Sequence, residues 1–103
     1  MYKLVYLPAA HRDMVEIARY ISRELNNPQA ALRLADGLTE AGERILQFPY
    51  ANPVYMPIRP LEREYRKLFV RNYCMFYWVE EAEKQVVIAR VLYARRDHGR
   101  FLE

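Results

Sequence analysis

One cysteine, two histidines and three glycines are all that 103 residues supply of the types most often tied to chemistry. A lone Cys74 excludes an intrachain disulfide and fits a reducing compartment. His11, His98 and Cys74 have no CxxC or HxxxH spacing and no carboxylates at ligand spacing, which excludes an ordinary metal site. Gly37 and Gly42 fall inside a helical pattern, so neither belongs to a phosphate-binding loop, and the Walker and Rossmann patterns are missing. No apolar run approaches the ~20 residues that span a bilayer, and the N-terminus lacks a signal-peptide layout. The expectation is a single cytoplasmic domain over 1–103, with no membrane partner and no cofactor.

What is present is distributed unevenly. Residues 1–53 carry six basic and six acidic side chains, whereas residues 54–103 carry ten and seven, so the whole net charge of +3 lies in the second half. The stretches "RPLEREYRKLFVR" and "ARRDHGR" concentrate it. Such a patch suits a polyanion or an acidic protein segment, or is a solvated face with no partner.

The periodicity orders the chain. "YKLVYL" (2–7) reads as a strand closed by Pro8. From Ala10 a helical stripe follows: Ala10, Met14, Ile17, Ala18, Ile21 and Leu25. Asn27 and Pro28 are a good N-cap and first residue for a second helix. Its stripe is Ala31, Leu34, Leu38, Ala41, Ile45 and Phe48. Gly37 and Gly42 should each cost it ~1 kcal/mol relative to Ala, which implies close approach by the first helix or the sheet. "PYANPVYMPIRP" is a proline-rich loop, and three strands follow at 63–70, 73–79 and 85–94. The expected fold is α+β, ordered β-α-α-β-β-β, with a helical hairpin on one face of a mostly antiparallel sheet.

Strand alternation then sorts the last strand into Val87, Ala89, Val91 and Tyr93 on one side, and Ile88, Arg90, Leu92 and Arg96 on the other. The Arg90 side is expected to face away from the helices, because a guanidinium is rarely buried unpaired. Alternation leaves open which middle-strand set joins it: Cys74, Phe76 and Trp78, or Tyr73, Met75 and Tyr77. Either way an apolar patch rimmed by Arg66, Arg90 and Arg96 is expected, and such a patch marks a partner site. Arg90, Arg95, Arg96 and Arg100 with Phe76, Trp78 and Leu92 are the candidate binding residues.

Two catalytic arrangements are worth stating. A Cys74–His98 nucleophilic pair competes with a thiol that is simply a small hydrophobe in an apolar strand. Metal-free RNA cleavage needs proton transfer and cations at the phosphate. Arg66, Arg90 and Arg96 could supply the charge, His98 the proton transfer, and Tyr65 or Tyr93 a stacking surface for a base. Against this, His98 reads equally well as an exposed tail residue, and "ARRD" as a local ion pair ending the strand.

The segments "YKLVYLPAAHRDMVEIARYI", "ILQFP", "EYRKLFVRNYCMFYWV" and "IARVLYARRDH", in that order, resemble the RelE/ParE superfamily of type II toxin–antitoxin toxins over nearly the whole chain. The resemblance implies the fold derived above and two possible actions: inhibition of DNA gyrase, as in the ParE branch, or ribosome-dependent mRNA cleavage, as in the RelE branch. The long hairpin and terminal "RRD" look more like ParE. Arg66 and Arg96 match two basic positions of the endonuclease pattern. Leu68 and Cys74 stand where that pattern has further basic residues, and its tail aromatic maps loosely to Phe101. The resemblance further implies a cognate antitoxin whose acidic or amphipathic C-terminal segment covers the toxin, gyrase or the ribosome and mRNA as target, and a role in plasmid stabilisation. A toxin-fold interaction protein without activity is the remaining reading.

Overall fold

A computed structural model describes residues 1–57, 60–95 and 98–102, apart from the side chain of Arg100. The elements are β1 (Lys3–Tyr6), α1 (Pro8–Arg19), a π-helical turn (Tyr20–Glu24), α2 (Pro28–Gln47), β2 (Arg66–Val70), β3 (Tyr73–Glu80), β4 (Gln85–Tyr93) and a short α3 (Gly99–Leu102). The sheet order is β1-β4-β3-β2. β1 runs parallel to β4, and the other two pairings are antiparallel. The expected α+β order holds, with the π turn and α3 as additions.

Local chemistry accounts for the boundaries. Pro8 opens α1 rather than closing β1, since proline suits the first helical turn, where its missing N–H is not needed. Asn27 caps α2 through its Oδ1, which accepts from the Ala30 amide at 3.1 Å. Leu25 and Phe48, expected on the buried stripes, are 56% and 65% exposed. The π turn adds a residue to its turn and rotates Leu25 off the stripe, whereas Phe48 lies just past the end of α2.

The helices pack on one face of the sheet. Ala10, Ile21, Leu34, Leu38 and Ile45 meet Val70, Met75, Tyr77, Val86, Ile88 and Val91. The two helical glycines admit the sheet: a Cβ at Gly42 would come within 2.9 Å of the Tyr6 hydroxyl, and one at Gly37 within 3.2 Å of Val70 Cγ1. Simple alternation fails on β4. Phe76 pairs with Arg90 but Tyr77 with Ile88, so Ala89 is an extra residue and the facing pattern slips there. Val86, Ile88 and Val91 therefore share the helix face, while Ala89 and Leu92 join Cys74 and Phe76 on the other.

That second face is not open. Tyr55, Leu61, Tyr65, Phe101 and Leu102 cover Cys74, Phe76, Ala89 and Leu92. The proline-rich segment ties itself to β2, with the Tyr55 amide donating to Tyr65 O at 2.8 Å and the Lys67 amide to Pro53 O at 3.1 Å. Among the described residues no helix is long and apolar enough to cross a membrane.

Candidate functional site

β1 pairs with β4 only as far as Ile88, whose carbonyl accepts from the Leu7 amide at 2.9 Å. Beyond that point α1 supplies the partner. Asp13 Oδ2 accepts from Arg90 Nε at 2.7 Å and from the Val91 amide at 3.0 Å, and its Oδ1 accepts from Arg90 Nη2 at 2.8 Å. Arg90 Nη1 donates to the Phe101 carbonyl at 2.9 Å. The charge-assisted bonds to Asp13 hold the guanidinium protonated more firmly than usual. Arg90 is therefore an internal strut joining α1, β4 and α3.

The expected apolar patch is corrected in the same way. Phe76 and Leu92 are buried, and Trp78 is partly covered by Arg63, whose guanidinium carbon lies 4.1 Å from the indole centroid. Tyr65, a stacking candidate, is buried and donates its hydroxyl to Leu102 O at 3.1 Å. Arg95 is exposed. Arg96 and the Arg100 side chain lie outside the described residues.

Of the catalytic candidates, Arg66 and His98 are on opposite sides of the sheet. Arg66 pairs with Tyr77 on the helix face and donates to the carbonyls of Asn52 at 2.7 Å and Tyr50 at 3.2 Å, with only 16% of its side chain exposed. Tyr77 completes this clamp by donating to Pro49 O at 2.8 Å and accepting from Asn52 Nδ2 at 3.2 Å. His98 lies on the other face, edge-on to Phe76 at 4.8 Å, with Nε2 2.9 Å from Tyr93 O. Lys67 shares that face, and Tyr55 lies between them: its ring is 5.7 Å from Lys67 Nζ and 6.2 Å from the imidazole. Cys74 is fully buried, and burial pushes its thiol up to about 11, so it is not a nucleophile in the folded chain. Among the described residues no three His, Cys, Asp or Glu side chains gather where they could hold a metal ion.

Sequence reasoning missed a cleft of about 840 Å³ at the open end of the layers. Its walls are the end of α1, the π turn and the start of α2 on one side, and the β2–β3 turn with the ends of β3 and β4 on the other. Tyr20, Leu25, Arg33, Arg71, Tyr73 and Tyr93 line it, together with Asp13 and Glu16. Tyr73 and Tyr93 stack edge to face at 5.8 Å. Burial, and then the nearby Tyr20 and Tyr93 hydroxyls, raise the Tyr73 phenol above its usual range. The signal in sequence was an aromatic, Tyr20, between the polar positions of an amphipathic helix; it marks no site until the π turn brings it opposite β3 and β4.

A second missed cluster sits at the β3–β4 turn, where Glu81 accepts from the hydroxyls of Tyr2 and Tyr50 and from Lys84. Lys84, then Tyr50 and Tyr2, hold its carboxyl down at about 2, and the hydrogen bond to Glu81 in turn pushes the Tyr50 phenol up to about 12.

The same architecture occurs in solved toxin–antitoxin structures. The chain is 20% identical to one from the chromosomal ParDE system of Pseudomonas aeruginosa, with a TM-score of 0.71 over 92% of this chain and 98% of that one. A chain of the RelBE2 complex of Mycobacterium tuberculosis gives 20% identity and a TM-score of 0.54, over 89% of this chain and 96% of that one. A chain of the Escherichia coli RelBE complex gives 22% and 0.52, over 93% of this chain and 100% of that one. These likenesses define a RelE/ParE-like fold. No curated protein matches the sequence. The family model for the ParE toxin of the type II toxin–antitoxin system parDE matches residues 4–98, and the chain belongs to that family.

Proposed function

We propose that this chain is the toxin half of a toxin–antitoxin pair, neutralised by a cognate antitoxin, and that when free it arrests growth by binding DNA gyrase. Its role in the cell is then the stabilisation of the element that encodes it, a plasmid among them. What supports binding over cleavage is the position of Arg66. Its guanidinium is engaged by loop carbonyls on the helix side of the sheet, across the strands from His98. Phosphate stabilisation needs a cation on the same side as the proton-transfer group. Leu68 and Cys74 supply no charge in place of the missing basic residues.

One observation favours a second reading, ribosome-dependent cleavage of mRNA. Tyr55 lies between Lys67 and His98 on one face, a stacking ring flanked by a cation and an imidazole. The test compares the purified chain in a gyrase supercoiling assay and in a translating extract probed for mRNA cuts. Loss of supercoiling without cuts is the expected outcome. Cuts without loss of supercoiling would select the second reading, and neither effect would leave an interaction domain without toxic activity.

A further inference from the structure

A groove of about 500 Å³ runs between α1 and α2, lined by Met14, Ile17, Ala18, Ala31, Ala35 and Leu38. Alanine at three of these positions leaves the seam between the helices unfilled. Beside it stand Val15, 36% exposed, and Leu32, 67% exposed. The two rims differ in charge. On α1, Arg12, Val15 and Arg19 are exposed and follow at intervals of three and four, so they form one stripe, with His11 lining the groove. On α2, the exposed Leu32, Asp36, Thr39 and Glu43 do the same, and Thr39 and Glu43 line the groove. Arg33, four residues before Gly37, and Arg44, seven after it, fall on the opposite flank with Gly37, which faces Val70 of β2. One rim is therefore basic and the other acidic. Among the described residues Arg12, Arg19, Asp36 and Glu43 form no ion pair within the chain.

We propose that this face is the interface of a homodimer, in which the helical hairpins of two copies pack against each other about a two-fold axis running along the helices. That axis sets α1 of one copy on α2 of the other, and the same contact occurs twice. The four helices then form an antiparallel layer pair, as in a four-helix bundle. Arg12 faces Glu43 of the second copy and Arg19 faces Asp36, while Val15 and Leu32 seat over the alanine seam. The other two-fold arrangement, α1 on α1, would set arginine against arginine and acid against acid. Size supports this occupant. A corrugated face about 25 Å long and about 20 Å wide offers much of the roughly 800 Å² per partner of a standard interface. Nucleic acid fits less well, because Asp36 and Glu43 would meet its phosphates with like charge.

Sedimentation equilibrium of the purified chain tests this. The parent is expected to dimerise with a Kd in the micromolar range that weakens as salt is raised. Arg12→Glu with Arg19→Glu makes both rims acidic, and Asp36→Lys with Glu43→Lys makes both basic. Because each contact occurs twice, either variant alone should associate at least about a hundredfold more weakly. An equimolar mixture of the two should dimerise again, and so should a chain carrying all four substitutions, since opposite charges then face each other. All four positions are exposed, and the denaturation midpoint checks that each variant is folded. Recovery in the chain with four substitutions is the decisive result, because pairing of α1 on α1 would not produce it. A parent chain that stays monomeric up to about 100 µM would overturn the proposal. So would a dimer that neither variant weakens, or a folded chain with all four substitutions that stays monomeric. A monomeric parent whose variants lose affinity for the protein of the adjoining reading frame would assign the face to that partner and overturn the dimer. None of these outcomes alters the reading of the chain as a toxin.

Discussion

Asp13 and Arg90 lie 77 residues apart in sequence and meet in a two-pronged ion pair, whose carboxylate also takes the Val91 amide. This one acid closes the edge of β4 where β1 has ended. Both side chains are largely withdrawn from solvent, at 11% and 23% exposure. Removing the acid leaves a guanidinium and an amide without their acceptor, so Asp13→Ala is expected to lower stability by about 2–4 kcal/mol. Replacing the pair together, Asp13→Leu with Arg90→Met, should recover part of that. A deficit of about 1–2 kcal/mol from the Val91 amide should remain. Denaturant midpoints of the single and double variants decide this, and equal stability of Asp13→Ala and the parent would reject the strut.

Leu38 sits at the centre of the helix–sheet interface with 5% exposure. Leu38→Ala leaves a cavity between α2 and the sheet that the surrounding side chains fill only partly, and should cost roughly 2–5 kcal/mol. An unchanged denaturation midpoint would remove Leu38 from the core.

The helix stripes and the order of elements were legible because helical and strand periods differ and each leaves its mark on the apolar positions. Asn27-Pro28 placed the start of α2 to the residue. What could not be read were the departures from periodicity. The extra residue at Ala89 and the π turn at Tyr20–Glu24 are each a shift of one position, and no residue type at either one announces it. Those two slips decide the candidate site. One redistributes β4 between the faces, and the other opens the cleft. The cover over Phe76 was equally illegible, since it depends on a proline-rich segment and a four-residue helix that show no period. Arg66 was identified as a cation of the hairpin but not as a clamp, because its acceptors are backbone carbonyls.

Cys74 offers a reporter of that cover. Its thiol, buried and pushed up to about 11, should resist a thiol reagent at pH 8 in the native state and react at once in denaturant. Phe101→Ala should increase the native-state rate, since Phe101 packs in the layer over the second face. Rapid native labelling of the parent chain would contradict the described burial.

The Glu81 cluster predicts a pH window with two edges. A carboxyl depressed to about 2 contributes stability above its unfolded value of 4.5, and loses it as pH falls through about 2. The Tyr50 phenol, raised to about 12, contributes stability below its unfolded value of 10.0 and loses it as pH rises through about 12. All of these groups are at the surface, so salt should weaken both edges. Glu81→Gln is expected to return Tyr50 toward its ordinary range, read from the ultraviolet absorbance of the phenolate. A Tyr50 titration unmoved by that substitution would show that Glu81 is not its partner.

Arg66 and His98 separate a binding toxin from a cleaving one. If growth arrest comes from binding a target, neither side chain performs chemistry. Arg66→Ala should then act through the loop at Pro49–Asn52, whose carbonyls lose their donor, and lower the thermal midpoint while arrest persists at temperatures where the variant is folded. His98→Ala should loosen the contact with Phe76 and leave arrest intact. A cleaving toxin behaves differently, because removing a general acid or base costs about 10²–10⁴-fold in rate. Arrest by His98→Ala would fall by that factor in a chain that is still folded, and mRNA cuts would fall with it. Measuring arrest, cuts and midpoint on the same two variants therefore distinguishes the mechanisms. A folded His98→Ala chain that no longer arrests growth would end the binding interpretation.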